Sequence, residues 1–332
     1  MSANNDVHFE YFSSVKSQKV EWLWYPYIPY GKITILQGDP GEGKSTFILN
    51  IAALLTKGKN MPDGYRVPTS QSVVYQTAED NISDTVKPRL ISAGADCNKV
   101  AYIVDEDNSL NLDDPRIEQV IEKTNAKLFI LDPLQAYLTQ ENDLISIGRM
   151  RQKLKRIADI AEKYKCAIVI IGHMNKTSGE KNIYRGLGSI DITAIARSVL
   201  MIARDKNDSS KRYMFPVKSS LAPEGESIAF KFEKKKGLTW LGKSYVLIDK
   251  QDSIRIDISK TAMAKRLVLE ILEDKDILSK DILQKLKLMG ISERTANEVK
   301  RELGVSSYKR NGKWYWHLED YYETEDGDNE SK

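Results

Sequence analysis

The octapeptide Gly38-Asp39-Pro40-Gly41-Glu42-Gly43-Lys44-Ser45 constrains the fold more than any other stretch of this 332-residue sequence. It satisfies G-x-x-x-x-G-K-[ST] at every fixed position. It also follows a strand-like run, Ile33–Gln37, and precedes a helix-like one, Thr46–Leu55, as the pattern requires. Glycines let such a loop wrap closely, so that backbone N–H groups face phosphate oxygens at a helix N-terminus. Lys44 supplies a positive charge for β- and γ-phosphates, Ser45 a hydroxyl for Mg²⁺, and Thr46 continues the cradle into the helix. ATP and Mg²⁺ are the expected cofactors; the bland alternative is a chance glycine-rich turn.

The rest of the chain agrees with this reading. Apolar strand-sized runs recur at Ile33–Gln37, Ser72–Gln76, Val100–Val104, Leu128–Leu131, Ala167–Ile171 and Ser198–Ile202. Amphipathic stretches separate them, such as 147–164, where Ile147, Met150, Leu154, Ile157, Ala158 and Ala161 keep helical spacing. Alternating β and α elements imply a mostly parallel sheet covered on both faces, hence an α/β class. From Arg212 to about Ile258 the pattern turns to consecutive strands broken by Pro216, Pro223, Gly225, Gly237 and Gly242, which predicts antiparallel hairpins. The triplet Lys234–Lys236 before Gly237 reads as a solvated turn, with a nucleic-acid contact as the minority reading.

Within this frame three further groups have the right chemistry and place. Leu128–Leu131 ends in Asp132-Pro133, so Asp132 is expected at Mg²⁺; the alternative is an ordinary Asp-Pro turn. Glu79, just past Ser72–Gln76, is the candidate to orient or deprotonate an attacking water; the alternative is an acid in the first turn of the next helix, a task Asp80 could also fill. His173 follows Ala167–Ile171, where it could sense the γ-phosphate or simply be a hydrogen-bonded histidine. The polar stretch 175–182 reads as a substrate loop. Arg185 and Arg197 flank 186–196, and either could be an arginine finger or a structural ion-pair partner.

A small module is expected from Thr261 to Leu318. Ala264, Leu267, Val268, Ile271 and Leu272 mark one amphipathic helix. Ser279 is placed to cap a second, with Ile282, Leu286 and Met289 inward and Gly290 at its end; Ser292 is placed to cap a third, with Ala296, Val299 and Leu303 inward before Gly304. Two extended runs flanking Asn311-Gly312 predict a hairpin. Three helices and a hairpin is the plan of a winged helix-turn-helix. Arg294, Asn297, Glu298 and Arg301 fall opposite the buried stripe of the third helix, and Lys309, Arg310 and Lys313 lie on the hairpin, where they could meet DNA. Trp314 and Trp316 share a strand face and read as core aromatics. A protein-docking winged helix is the alternative.

Charge points the same way. Residues 260–318 carry 13 Lys/Arg against 8 Asp/Glu, whereas 319–332 carry 7 acids and one Lys, a basic module followed by an acidic tail expected to be disordered. The expected division is therefore an aromatic lead-in over 1–30, an ATPase core over 31–258, a winged helix over 259–318 and the tail over 319–332. Cys97 and Cys166 lack a paired spacing and read as buried reduced thiols of a cytoplasmic protein. With three scattered His they suggest no metal cluster. The polar N-terminus reads as no signal peptide, and no apolar run is long enough to imply a membrane span.

Taken together, several segments resemble the RepA-like branch of RecA-fold ATPases, the hexameric helicase and recombinase superfamily of plasmid and phage replicative helicases. They are Trp22-Leu23-Trp24 with Ile28-Pro29-Tyr30-Gly31, the P-loop, Gln76-Thr77-Ala78-Glu79-Asp80, Leu131-Asp132-Pro133, Gly172-His173-Met174-Asn175-Lys176, Tyr184-Arg185-Gly186-Leu187-Gly188-Ser189 and Ala196-Arg197-Ser198. The resemblance implies Glu79 as catalytic carboxylate, Asp132 at Mg²⁺, His173 as a sensor and Arg197 over Arg185 as the finger. It further implies a hexameric ring with ATP between subunits and single-stranded DNA in the channel, with duplex DNA as a second partner through the winged helix. The simplest plasmid helicases of this group lack such a module; chains carrying it resemble proteins of phages and integrated mobile elements. An ATP-switched DNA-binding regulator and a filament-forming recombination mediator stay open beside the helicase.

Overall fold

A computed structural model describes residues 9–107, 109–138, 147–173, 190–205, 208–223, 225–234, 236–244, 246–248, 256–257, 260–272 and 276–318. These divide into two compact units, drawn from Met1–Asn175, Gly186–Leu200 and Pro216–Gly225 and from Lys176–Arg185, Met201–Phe215 and Glu226–Lys332.

In the first unit a short hairpin, β1 (Trp22–Trp24) with β2 (Ile28–Pro29), precedes β3 (Ile33–Gly38) and α1 (Lys44–Lys57). There follow β4 (Val73–Thr77), a π-helical turn over Ile82–Val86, α2 (Lys87–Ser92), β5 (Val100–Ala101), α3 (Pro115–Thr124), β6 (Leu128–Asp132), α4 (Ile147–Tyr164), β7 (Ala167–His173) and α5 (Ile190–Ile195). Strand β8 (Ser198–Arg204) and β9 (Lys211–Ser219) are shared between the units. The second unit adds β10 (Ser227–Glu233), β11 (Gly237–Ser244), the pair β12 (Leu247–Ile248) and β13 (Ile256–Asp257), then α6 (Lys260–Leu272), β14 (Ile277–Leu278), α7 (Ser279–Leu288), α8 (Glu293–Glu302), β15 (Ser306–Arg310) and β16 (Lys313–His317).

The large sheet has the order β11-β10-β9-β8-β3-β7-β6-β4-β5. Pairing is parallel from β3 through β7, β6 and β4 to β5, and antiparallel among β9, β10 and β11. The fold is thus α/β with a mainly parallel central sheet. Strands β3 and β6 are buried along their whole length, which is why apolar residues dominate them on both faces, with Thr34 and Gln37 the buried polar exceptions in β3. Helix α4 covers them with the stripe Met150, Leu154, Ile157 and Ala161, all buried with Phe129, Ile168 and Ile170 in one cluster.

Two of the lead-in aromatics, Trp24 and Tyr27, pack inward, whereas Phe9, Tyr11, Phe12 and Tyr25 are exposed. Trp24 is fully buried, 4.7 Å from the Tyr27 ring and 6.5 Å from Phe47 of α1, and its Nε1 donates to Asp63 Oδ1 at 3.0 Å. Ser198 Oγ donates to the Tyr27 carbonyl at 2.6 Å. These rings therefore act as packing beneath the helix that carries the P-loop.

Two expectations change at the sheet edge. The strand expected over Val100–Val104 keeps only Val100–Ala101, and Tyr102 and Val104 are exposed. There the Gln76 side chain replaces the ladder, accepting from Ile103 N at 2.9 Å and donating to Ile103 O at 3.4 Å. Cys97 is exposed, whereas Cys166 is buried and its thiol is pushed up to about 12 by burial. The turn of Lys234–Lys236 closes on a bond from Lys236 N to Glu233 O, with Gly237 at φ 73°, so it is a hairpin end.

In the C-terminal elements Ala264, Val268, Ile282, Leu286, Ala296, Val299 and Trp316 share one apolar cluster. The expected three helices and hairpin are present, and β14 adds a third strand through Ile277↔Trp316 and Leu278↔Tyr315. Ser292 caps α8, its Oγ accepting from Thr295 N at 3.2 Å. Ser279 does not cap α7: β14 runs straight into the helix, so Leu278 takes the cap position, and the buried Ser279 Oγ has no hydrogen-bond partner among the described residues. Met289 is half exposed rather than inward, because α7 ends at Leu288 and Ile291 fills the core position instead. Among the described residues no helix is long and apolar enough to cross a membrane.

Candidate phosphate and metal site

Parallel pairing brings four strand ends into one row. Gly38 is in register with His173, Leu131 with Ile170, and Thr77 with Asp132, so the C-terminal ends of β3, β7, β6 and β4 lie side by side. In parallel α/β sheets this edge is where ligands bind. Of the His173 side chain nothing is described, and Arg185, the stretch 175–182 and the tail 319–332 lie outside the described residues.

The loop after β3 is shaped by glycine. Gly41 at φ 80° and Gly43 at φ 87° adopt left-handed backbone that side chains with a Cβ disfavour. Gly43 is the residue before α1 and offers no side-chain cap, which leaves the first amides of that helix to an incoming anion. Lys44 is buried inside the loop, where its Nζ donates to Gly38 O at 2.9 Å and Asp39 O at 3.0 Å. Burial lowers its pKa, opposed by the carboxylates of Asp132, Asp39, Glu42 and Glu79. A buried ammonium held by loop carbonyls is poised to exchange them for phosphate oxygens.

The two groups expected at Mg²⁺ meet. The Ser45 hydroxyl hydrogen-bonds the Asp132 carboxylate. Asp132 is 5 % exposed, and burial raises its pKa against the hydrogen bonds from Ser45 and Tyr75 and the charge of Lys44. A hydroxyl and a carboxylate side by side, with an ammonium nearby, fit a Mg²⁺–triphosphate complex. Such a cation would neutralise charge on the phosphates.

Sequence reasoning missed Tyr75. Its buried hydroxyl donates to Asp132 Oδ2 at 2.6 Å from the neighbouring strand, and its own pKa is raised by burial and by Asp132. The legible signal was a polar-tipped ring following the buried Val73-Val74, two positions before the residue in register with Asp132.

A sequence profile described as an AAA domain matches residues 4–179, more than half of the chain. The chain belongs to this family. The matched span holds the P-loop, Glu79, Asp132 and His173. It is similar to proteins named DNA repair protein RadA, from Helicobacter pylori (30% identical over 152 residues, 45% of this chain and 30% of that one) and from Bacillus subtilis (26% over 150 residues, 44% and 28%). The chain thus spans about three-tenths of the length of these relatives. A KaiC-like protein of Pyrococcus horikoshii OT3 aligns with 64% of this chain and 90% of its own at 20% identity and a TM-score of 0.47.

In this family member Glu79 is exposed, two residues past the end of β4, and close enough to influence the Lys44 charge. The alternative role in a helix turn falls to other residues. Asn81 caps the turn, accepting from Ser83 N at 2.8 Å and Asp84 N at 3.3 Å, and Asp80 pairs with Arg89 at 2.6 Å. Glu79 stands before that cap, on the side of the P-loop lysine.

Arg197 lies at the other end of β3. Its N–H donates to Ile33 O and its carbonyl accepts from Ser220 N, each at 3.0 Å, and its side chain is exposed. Five residue steps of strand separate Ile33 from Gly38, about 17 Å, farther than an arginine side chain reaches. Lys218 fixes the approach: its Nζ donates to Thr193 O at 2.7 Å and Ala196 O at 2.9 Å, and its pKa is lowered by burial and then by Arg197.

Of the DNA candidates, Arg294, Asn297 and Arg301 are exposed along α8. Arg294 pairs with Glu298 at 3.2 Å within the helix. Lys309, Arg310 and Lys313 are exposed on the β15–β16 hairpin.

Proposed function

We propose that this protein is an ATP-hydrolysing motor acting on single-stranded DNA, a RepA-like replicative helicase of a phage or mobile element, assembled as a hexameric ring. The observation that carries the proposal is the placement of Lys44, Ser45, Asp132 and Glu79 around one row of strand ends, with Arg197 about a strand length away. Lys44 grips the β- and γ-phosphates, Ser45 and Asp132 hold Mg²⁺, and Glu79 orients water for attack. Arg197 cannot serve its own subunit's site, so it acts on a neighbour's, stabilising charge in the transition state. His173 acts as sensor between the P-loop strand and the Asp132 strand. Similarity to proteins named for DNA repair supports a DNA substrate.

The domain plan that goes with this reading is an ATPase core over 31–258 and a winged helix-turn-helix over 259–318. The order α6-β14-α7-α8-β15-β16, with basic residues exposed on α8 and the hairpin, supports the second domain. That module also favours the other reading, an ATP-switched regulator that binds a duplex site without translocating.

ATP hydrolysis measured with and without single-stranded DNA, followed by strand separation on a forked duplex, tests the proposal. Stimulation by single strands, unwinding, and loss of both in Lys44→Ala are expected. Hydrolysis indifferent to DNA, with no unwinding, overturns the helicase. Sequence-preferring duplex binding retained in Glu79→Gln would then favour the regulator.

A further inference from the structure

The register of the β15–β16 hairpin sorts its residues cleanly. Ser307, Lys309, Trp314 and Trp316 share one face; Tyr308, Arg310, Lys313 and Tyr315 share the other. The two tryptophans on the first face have opposite fates. Trp316 is 3 % exposed, in register with Ile277 and packed in the C-terminal core, whereas Trp314 is 55 % exposed. Helix α8 closes over Trp316 through Lys300, whose Nζ lies 5.3 Å from that ring and donates to Ser307 Oγ. The helical cover ends there, and Trp314 continues the apolar face beyond it toward the Asn311-Gly312 turn.

The surroundings of this bare indole are cationic. Lys309 is its direct cross-strand partner, and Arg310 and Lys313 flank the turn. From Ser306 to His317 the sequence holds no Asp or Glu. The nearby Asp276 is engaged from the opposite face, accepting from Tyr308 and bonded to His317 Nδ1 at 2.7 Å, and Arg310 hydrogen-bonds Tyr308. Lys309 is thus the cation on the ring's own face, while Lys313 precedes Trp314 in the chain and lies on the opposite face. A flat apolar face beside a positive charge matches a ligand made of flat rings joined by anions. A duplex hides its base faces in the stack, so the matching form is a single strand.

We propose that Trp314 stacks on an unpaired base of single-stranded DNA while Lys309 holds an adjoining phosphate. This rests on the reading that the protein acts on single-stranded DNA, and it makes the hairpin a strand-holding element rather than a duplex-groove one.

The test uses the full chain and fluorescence anisotropy with labelled oligothymidylate, a duplex of equal length, and an abasic oligonucleotide with the same phosphates. Trp314→Ala is expected to weaken oligothymidylate binding roughly tenfold, within the range of base–aromatic stacking, and Trp314→Phe to recover most of it. On the abasic strand, wild type and Trp314→Ala are expected to bind alike. Lys309→Ala is expected to weaken both strands equally and to flatten the salt dependence by roughly 0.7 in log–log slope. Unchanged oligothymidylate binding in Trp314→Ala overturns the stacking, as does an equal loss on the abasic strand. A loss of self-association in its place overturns it too and assigns Trp314 to a protein contact. Wild type that binds no single strand removes the underlying function itself, an outcome distinct from the others.

Discussion

Replacing Tyr75 by Phe removes one oxygen from beneath the candidate metal site and changes little else. The ring is buried on β4, and its hydroxyl donates to Asp132 Oδ2 at 2.6 Å. A hydrogen bond to a charged group contributes about 1.5–3 kcal/mol, and its loss leaves a carboxylate with one buried donor fewer. The sign with pH follows from Asp132, whose pKa in the folded state is raised by burial. A raised carboxyl favours the folded state while protonated, and that advantage fades as pH climbs from its unfolded value to its folded one. The Tyr75 hydroxyl favours the ionised form, so its removal raises the folded pKa further. The Tyr75→Phe substitution therefore has its smallest effect in acid and its full effect above the folded pKa. Thermal melts followed by circular dichroism without nucleotide should fall by roughly 5 °C above the folded pKa of Asp132 and by less in acid below it. On the proposed reading, in which Asp132 holds Mg²⁺ as an ionised carboxylate, the acid limb of ATP hydrolysis should move to higher pH. Equal destabilisation at both pH values, or a larger loss in acid, refutes the argument.

Two further perturbations probe the site and its support. Glu79→Gln and Arg197→Ala should each bind nucleotide in calorimetry and turn over poorly; mixed in equal amounts they should regain about a quarter of wild-type rate, since a sound site then meets a sound arginine by chance across the interface. Absence of recovery in a mixture shown to co-assemble rejects an arginine acting in trans. Trp24→Ala should cost about 3–5 kcal/mol through the cavity left under α1, read as a lower denaturation midpoint; a midpoint within error of wild type denies the lead-in its packing role.

What could be read from the sequence was what local chemistry dictates. The P-loop, the strand before it and the acid ending Leu128–Asp132 are contiguous patterns whose geometry follows from glycine freedom and strand burial, so Lys44, Ser45 and Asp132 meet as expected. Tyr75 was hidden because its role depends on which strand lies beside β6, a long-range pairing that a linear pattern does not carry. Trp314 and Trp316 have the same face and the same residue type; only the extent of helical cover tells them apart. The errors at Ser279 and Met289 are of one kind. Each assumed a helix boundary from residue preference, while β14 and the early end of α7 set it by tertiary pairing.

The six residues of β3 act as a ruler. Under the proposed function, the ammonium that grasps ATP sits at one end and the guanidinium that completes the chemistry at the other, so an isolated subunit is two halves of different engines. On the proposed reading, dilution alone is an off-switch, hydrolysis rises with more than the first power of protein concentration, and ATP bound between copies is mortar as well as fuel. A cell could then govern this activity through abundance and nucleotide supply, without any dedicated inhibitor.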